Sequence, residues 1–285
     1  MINPRSSWSG GFLFGKSLLK DYEMTDDSNT ANPLFSNSVV YQLPYAGKVR
    51  ESISYAGGDR VFDIYLPERV EEPAPVVVLV TGYPDLDFEE RVGMKQMEVQ
   101  SFRGWAKLLA ASGMAAVIYS NVEPVEDVFT LLDFLRCEAS ELRIDPARIA
   151  VWSCSSNVPN AINVLHKDST VRCATFLYGY MLDTTDSSVL QETAQSFRFA
   201  NPHKGMKNFP ENTPILVIGA GKDEFPGLNE SIDNFEAEAV ARNSPVSVIR
   251  YPEGVHAFDI LDDSQRSIEI IKLCIGFLRL RLNVY

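Results

Sequence analysis

The sequence is poor in the features that would put it in a membrane, on a nucleic acid or around a metal. No apolar run approaches the ~20 residues that a membrane span needs. The N-terminal stretch carries Arg5 and Lys16, but Ser, Trp and Gly break the apolar patch between them. No secretory leader is expected from it. Positive charge is scarce: 26 Lys and Arg stand against 38 Asp and Glu, a net charge of -12. That balance argues against an electrostatic grip on nucleic acid or on an anionic membrane surface. The four cysteines, Cys137, Cys154, Cys173 and Cys274, are widely spaced and form no C-x-x-C pair. They read as reduced thiols in a cytoplasmic protein, not as a disulfide framework or a zinc site. Neither a metal nor a cofactor is expected.

What is present suits one large soluble domain. Hydrophobic residues make up 45% of the 285 positions and charged residues 22%, enough apolar material for a sizeable core. Residues 1–47 form an N-terminal arm, partly irregular. Asp21 to Asn37 is rich in Asp, Asn, Ser and Thr and lacks periodicity. The aromatics Trp8, Phe12, Phe14 and Phe35 suggest that parts of this arm dock on the body. Residues 48–285 form the main domain.

Within that domain the patterning is regular. Val49–Tyr55 and Val61–Leu66 alternate across Gly57-Gly58-Asp59, which predicts a β-hairpin. Val76–Val80 is an unbroken β-branched and aliphatic run, the mark of a strand buried on both faces. A helix follows with Phe102, Trp105, Leu108 and Leu109 on one stripe, closing at Gly113. Then come strand 114–119 and a helix that opens at Pro124 with acids in its first turn. Strand 148–152 leads to helix 158–167 and strand 171–178. After an irregular section at 179–212 follow strand 215–219, helix 228–242, strand 246–251 and helix 264–281. Strands alternating with helices predict a mostly parallel, doubly wound α/β sheet with right-handed crossovers, and the hairpin supplies an antiparallel N-terminal edge.

In such sheets functional groups collect beyond the carboxyl ends of the strands. Gly82 and Tyr83 follow the first buried strand, and Ser155 follows strand 148–152. Asp223 follows strand 215–219, and His256 follows strand 246–251. Serine, acid and histidine thus appear in the order Ser…Asp…His. A serine hydroxyl needs a base, imidazole titrates near ~6.5, and a carboxylate fixes the imidazole tautomer. Around the serine, the strand-to-helix turn reads Ser153-Cys154-Ser155-Ser156-Asn157. The G-x-S-x-G pattern of a nucleophile elbow is missing both of its glycines. Tryptophan at 152 cannot fill a position that demands a small residue, so the register falls on Ser155 rather than on Cys154.

Four local stretches together resemble the α/β-hydrolase superfamily, nearest its dienelactone-hydrolase-like and esterase branch. They are Thr81-Gly-Tyr-Pro-Asp85, Ile149-Ala-Val-Trp-Ser-Cys-Ser155, Gly219-Ala-Gly-Lys-Asp223 and Tyr251-Pro-Glu-Gly-Val-His-Ala-Phe-Asp259. The first departs from H-G-x-P by a threonine. The resemblance spans roughly residues 48–281 and implies the α/β-hydrolase fold with hydrolysis of an ester or related acyl bond. It casts Ser155 as nucleophile, Asp223 as acid and His256 as base, with the amides of Tyr83 and Ser156 as oxyanion donors. Gly82 and Cys154 would line the substrate site. The expected partner is a small or medium carboxylic ester or lactone; an amide or thioester substrate, and a homodimer, stay open.

Blander readings stand beside each of these. Ser155 could cap helix 158–167, and His256 could be a surface residue. Cys154 is the rival nucleophile and Glu224 the rival acid. His166 reads as a helix-end residue and His203 as a loop residue. Asp259, Asp262 and Asp263 read as a solvated acidic turn. Residues 179–212, with Met181, Leu182, Phe197, Phe199 and Phe209, are either a small cap over the pocket or a crossover packed on the sheet. The alternative of another class is a catalytically silent member of the fold that binds a ligand or protein.

Overall fold

The computed structural model describes residues 32–69, 73–182, 189–202 and 205–285. Trp8, Phe12, Phe14 and His203 lie outside these residues. Eight strands form one sheet: β1 (Val49–Ser54), β2 (Val61–Tyr65), β3 (Ala74–Leu79), β4 (Ala115–Tyr119), β5 (Ile144–Cys154), β6 (Ala174–Leu177), β7 (Ile215–Ala220) and β8 (Val246–Tyr251). Their order is β1-β2-β4-β3-β5-β6-β7-β8. β2 runs antiparallel to both its neighbours, and all the other pairings are parallel. This is the mostly parallel sheet with an antiparallel edge that the alternation predicts.

Ten α-helical segments flank the sheet among the described residues: α1 (Pro33–Ser36), α2 (Asp85–Val92), α3 (Gln100–Ala111), α4 (Pro124–Cys137), α5 (Ala139–Leu142), α6 (Val158–Lys167), α7 (Val189–Phe197), α8 (Leu228–Ala241), α9 (Phe258–Leu261) and α10 (Gln265–Arg281). Because side chains alternate along a strand, Val76 and Val78 of β3 join the core under α4, α6 and α8. Val77 and Leu79 join the opposite core under α3 and α10. All four are fully buried, each worth about 1.5–3 kcal/mol relative to exposure. Phe35 and Val39, in the segment before β1, are also buried, and Phe35 meets Phe88 edge-on at 6.0 Å. So the part of the arm that is described docks on the body, as its aromatic content suggests.

Three local differences from the sequence reading have simple causes. β5 begins at Ile144, not 148, because Asp145-Pro146 is absorbed in a bulge, marked by a register shift against β3. α2 escaped notice because only Phe88 and Val92 of its eight residues supply apolar core contacts, a stripe one turn long. The section 179–212 contains helix α7, with Leu190 and Ala194 buried.

Candidate active site

The carboxyl ends of β3, β5, β7 and β8 bring the singled-out residues to one cleft. At the end of β5 the chain passes through a short 3-10 turn (Ser155–Asn157) into α6. Ser155 sits at φ 55, a left-handed conformation that costs a serine on the order of 1–3 kcal/mol and recurs at functional turns. Ser153 stands where a glycine is usual. It is fully buried and its hydroxyl donates to the Val80 carbonyl at 3.1 Å, so a side chain of that size fits between β5 and β3.

β7 and β8 continue their pairing past the sheet. The Gly221 amide donates to the Tyr251 carbonyl at 2.7 Å, and the Lys222 amide to the Gly254 carbonyl at 2.8 Å. Gly221 is required here: a Cβ would lie 2.5 Å from the Pro252 carbonyl oxygen. This zipping carries Asp223 and His256 to each other. Ser155 Oγ lies 2.9 Å from His256 Nε2, and His256 Nδ1 lies 2.6 Å from Asp223 Oδ2. The other carboxylate oxygen, Oδ1, accepts the Phe225 amide at 3.0 Å, and the Asp223 side chain is fully buried. Glu224, the rival acid, is exposed. Rings of Phe225 and Tyr178 pack on the imidazole at 4.5 and 4.8 Å between centroids.

On the far side of Ser155 runs the loop after β3. Its Gly82 approaches the elbow so closely that a Cβ would meet Ser156 O and Asn157 Cα at 3.0 Å. Among the described residues the amides of Tyr83 and Ser156 engage no acceptor, whereas the Gly82 amide donates to Asn157 Oδ1 at 2.7 Å. The Gly82 amide is therefore engaged within the elbow itself. Behind the loop lies a buried polar layer that sequence reasoning missed. Asp85 Oδ2 accepts the Asn121 amide at 2.8 Å, and Asn121 Nδ2 donates to Tyr83 O and Thr81 Oγ1. Burial pushes the Asp85 carboxyl up to about 6, against the pull of the amides it accepts.

Cys154 borders the cleft beside Ser155. Burial, reinforced by the charge of Asp259, pushes its thiol well above the usual range, so it carries little thiolate at neutral pH and is a poor rival nucleophile. The reading of Asp259 as a solvated residue is corrected. It is buried, 1% exposed. Its Oδ2 accepts the Trp105 indole N–H at 2.7 Å, and its Oδ1 accepts the Tyr178 hydroxyl at 2.5 Å. Desolvation raises its carboxyl, and the two donors oppose that shift. Asp262 and Asp263 do stand at the surface or half-buried, Asp262 accepting the Tyr251 hydroxyl at 2.6 Å. His166 lies in the last turn of α6.

The cleft has a volume of about 600 Å³. Tyr83, Phe88, Tyr178 and Phe197 give it an aromatic wall, and Arg91 and Arg198 stand at it as cations. The segment after α7 is pinned to the loop after β3, the Ala200 amide donating to the Gly82 carbonyl at 2.7 Å. Among the described residues no group of three or more His, Cys, Asp or Glu could hold a metal ion, and no helix is long and apolar enough to cross a membrane.

No protein-family model matches the chain, and no curated protein matches it in sequence. Solved structures do. A thermostable carboxylesterase from a metagenomic library, EstE1, superposes with a TM-score of 0.64 at 21% identity, covering 85% of this chain and 92% of that one. A deep-sea metagenome protein, MGS-M1, described as an alpha/beta hydrolase enzyme, gives 0.63 at 16% identity, covering 84% and 99%. The chain has the α/β-hydrolase fold. A bacterial heroin esterase is similar to the same extent, with a TM-score of 0.64, 15% identity and coverage of 85% and 87%. Within the α/β-hydrolase fold the crevice beyond the parallel strands is where ligands bind, and that is where Ser155, His256 and Asp223 meet.

Proposed function

We propose that the protein is a serine hydrolase that cleaves a small or medium carboxylic ester or lactone through an acyl-enzyme on Ser155. The observation that carries this reading is the continuous chain from Ser155 Oγ through His256 to Asp223, at 2.9 and 2.6 Å, opening on the cleft. In the reaction His256 Nε2 takes the Ser155 proton as Oγ attacks the ester carbonyl. The carbonyl oxygen becomes an oxyanion, and the free amides of Tyr83 and Ser156 are the donors for it. His256 then protonates the leaving alcohol. A water molecule, deprotonated by the same imidazole, releases the acid and restores Ser155. Asp223 holds the imidazole tautomer and stabilises the imidazolium throughout.

The named esterases among the similar structures support an ester as the bond cleaved. The Gly219–Asp223 and Tyr251–Asp259 loops favour the dienelactone-hydrolase-like side of the fold. Four unpaired cysteines support a reducing compartment, the cytoplasm. The test is hydrolysis of p-nitrophenyl acetate and butyrate at neutral pH. The wild-type protein is expected to turn both over, and Ser155→Ala to fall to the buffer rate. Wild-type turnover no faster than buffer with either ester would sink the reading.

A further inference from the structure

The elbow position that usually takes glycine holds Asn157, a residue 3% exposed. Its Oδ1 accepts two hydrogen bonds, from the Gly82 amide at 2.7 Å and from Gln96 Nε2 at 3.0 Å. The backbone amide is a donor only, so the orientation of the Asn157 carboxamide is fixed. Gln96 is itself anchored, its amide donating to Asp85 Oδ1 at 3.3 Å. The loop after β3 has three amides in sequence. That of Thr81 donates to the Tyr119 hydroxyl at 3.3 Å and that of Gly82 to Asn157. The third, Tyr83 N–H, has no acceptor among the described residues.

Peptide planarity makes this arrangement consequential. In a trans peptide the C=O and the next N–H point in opposite directions. The Gly82 carbonyl is held by the Ala200 amide, which aims the Tyr83 N–H the other way. The preceding peptide is held through its N–H by Asn157. Gly82 lies between these two fixed planes. A side chain there would crowd the elbow, a Cβ lying 3.0 Å from Ser156 O and Asn157 Cα, yet the glycine that avoids this is the residue with the most freedom to lose. Asn157 and Ala200 remove that freedom from the two sides.

We propose that Asn157 is a positioning residue of the oxyanion loop: its side-chain oxygen clamps the Gly82 amide and so orients Tyr83 N–H toward the developing oxyanion. It acts through the loop. The asparagine that departs from the usual elbow pattern is then a device, and it makes Tyr83 and Ser156 the two donors while withdrawing Gly82. The inference rests on the hydrolase reading above.

The test compares Asn157→Ala and Asn157→Gly with wild type on p-nitrophenyl butyrate, together with inhibition by butylboronic acid, which adds to the serine oxygen as a tetrahedral anion. Both variants are expected to lose about 10–100-fold in kcat, less than deleting an oxyanion donor outright, with KM within about threefold of wild type. The boronic acid Ki is expected to rise by the same factor as kcat/KM falls. Should either variant fail to fold, as read by circular dichroism, Gln96→Met removes only the outer anchor of the same oxygen and is expected to lower kcat about 3–10-fold at unchanged KM. Folded variants with wild-type kcat and Ki, or with a raised KM alone, would overturn the inference while leaving the hydrolase reading intact. A wild-type protein inactive on esters would overturn the hydrolase reading itself.

Discussion

Replacing His256 by alanine is expected to lower kcat for p-nitrophenyl butyrate by about 10⁶-fold, with KM little changed. The size follows from geometry. His256 Nε2 is the group placed within hydrogen-bond distance of Ser155 Oγ, at 2.9 Å. A neutral serine hydroxyl without a base is a weak nucleophile. His166 lies elsewhere, in the last turn of α6. Because the serine and its base act as a unit, the double variant Ser155→Ala, His256→Ala is expected to be no slower than either single one. Steady-state kinetics on the three proteins decide the matter. A His256→Ala enzyme within tenfold of wild type would mean that another group takes the proton. Losses that multiply in the double variant would mean that the two residues do not work together.

The second large effect is on stability and comes from a residue outside the reacting chain. Asp259→Ala removes the acceptor for both the Trp105 indole and the Tyr178 hydroxyl, which are 0% and 1% exposed. Each orphaned buried donor costs about 1–3 kcal/mol, so a loss of roughly 2–6 kcal/mol is expected. In a chain of this size that corresponds to a fall in Tm of roughly 3–10 °C. Activity is expected to suffer as well. The Tyr178 ring that Asp259 holds packs against His256, and Asp259 lies three residues beyond that histidine. A displaced imidazole of even ~1 Å lowers kcat by up to about 10²-fold. The check is a thermal melt beside kcat at a temperature where the variant is folded. A Tm within 2 °C of wild type would show that Asp259 is dispensable to the core.

These two residues mark what was legible in the sequence. His256 could be found because it follows a strand end in a chain with few histidines, and the alternation of strands and helices fixes where strand ends meet. The same reasoning singles out Ser155 and Asp223, which the structure brings within hydrogen-bond distance of His256, and Trp152 is what favours the register on Ser155 over Cys154. Asp259 was misread because its partners are 154 and 81 residues away; an acidic residue in a charged stretch carries no local sign that it turns inward. In the sequence Asn157 stands out only as a departure from glycine in the elbow pattern. Its clamp on Gly82 spans 75 residues, and the polar layer of Gln96, Asn121 and Asp85 behind it is just as non-local. Local periodicity reports which face of an element is buried, and it is silent on which polar groups pair across the core.

Covalent capture reports whether Ser155 is the nucleophile. Incubation with a fluorophosphonate probe, followed by mass mapping of the labelled peptide, is expected to put one phosphonate on Ser155. The label should persist in Cys154→Ala and vanish in Ser155→Ala. An adduct that survives Ser155→Ala, or a folded wild-type protein that takes no label while hydrolysing esters, would mean that Ser155 is not the nucleophile.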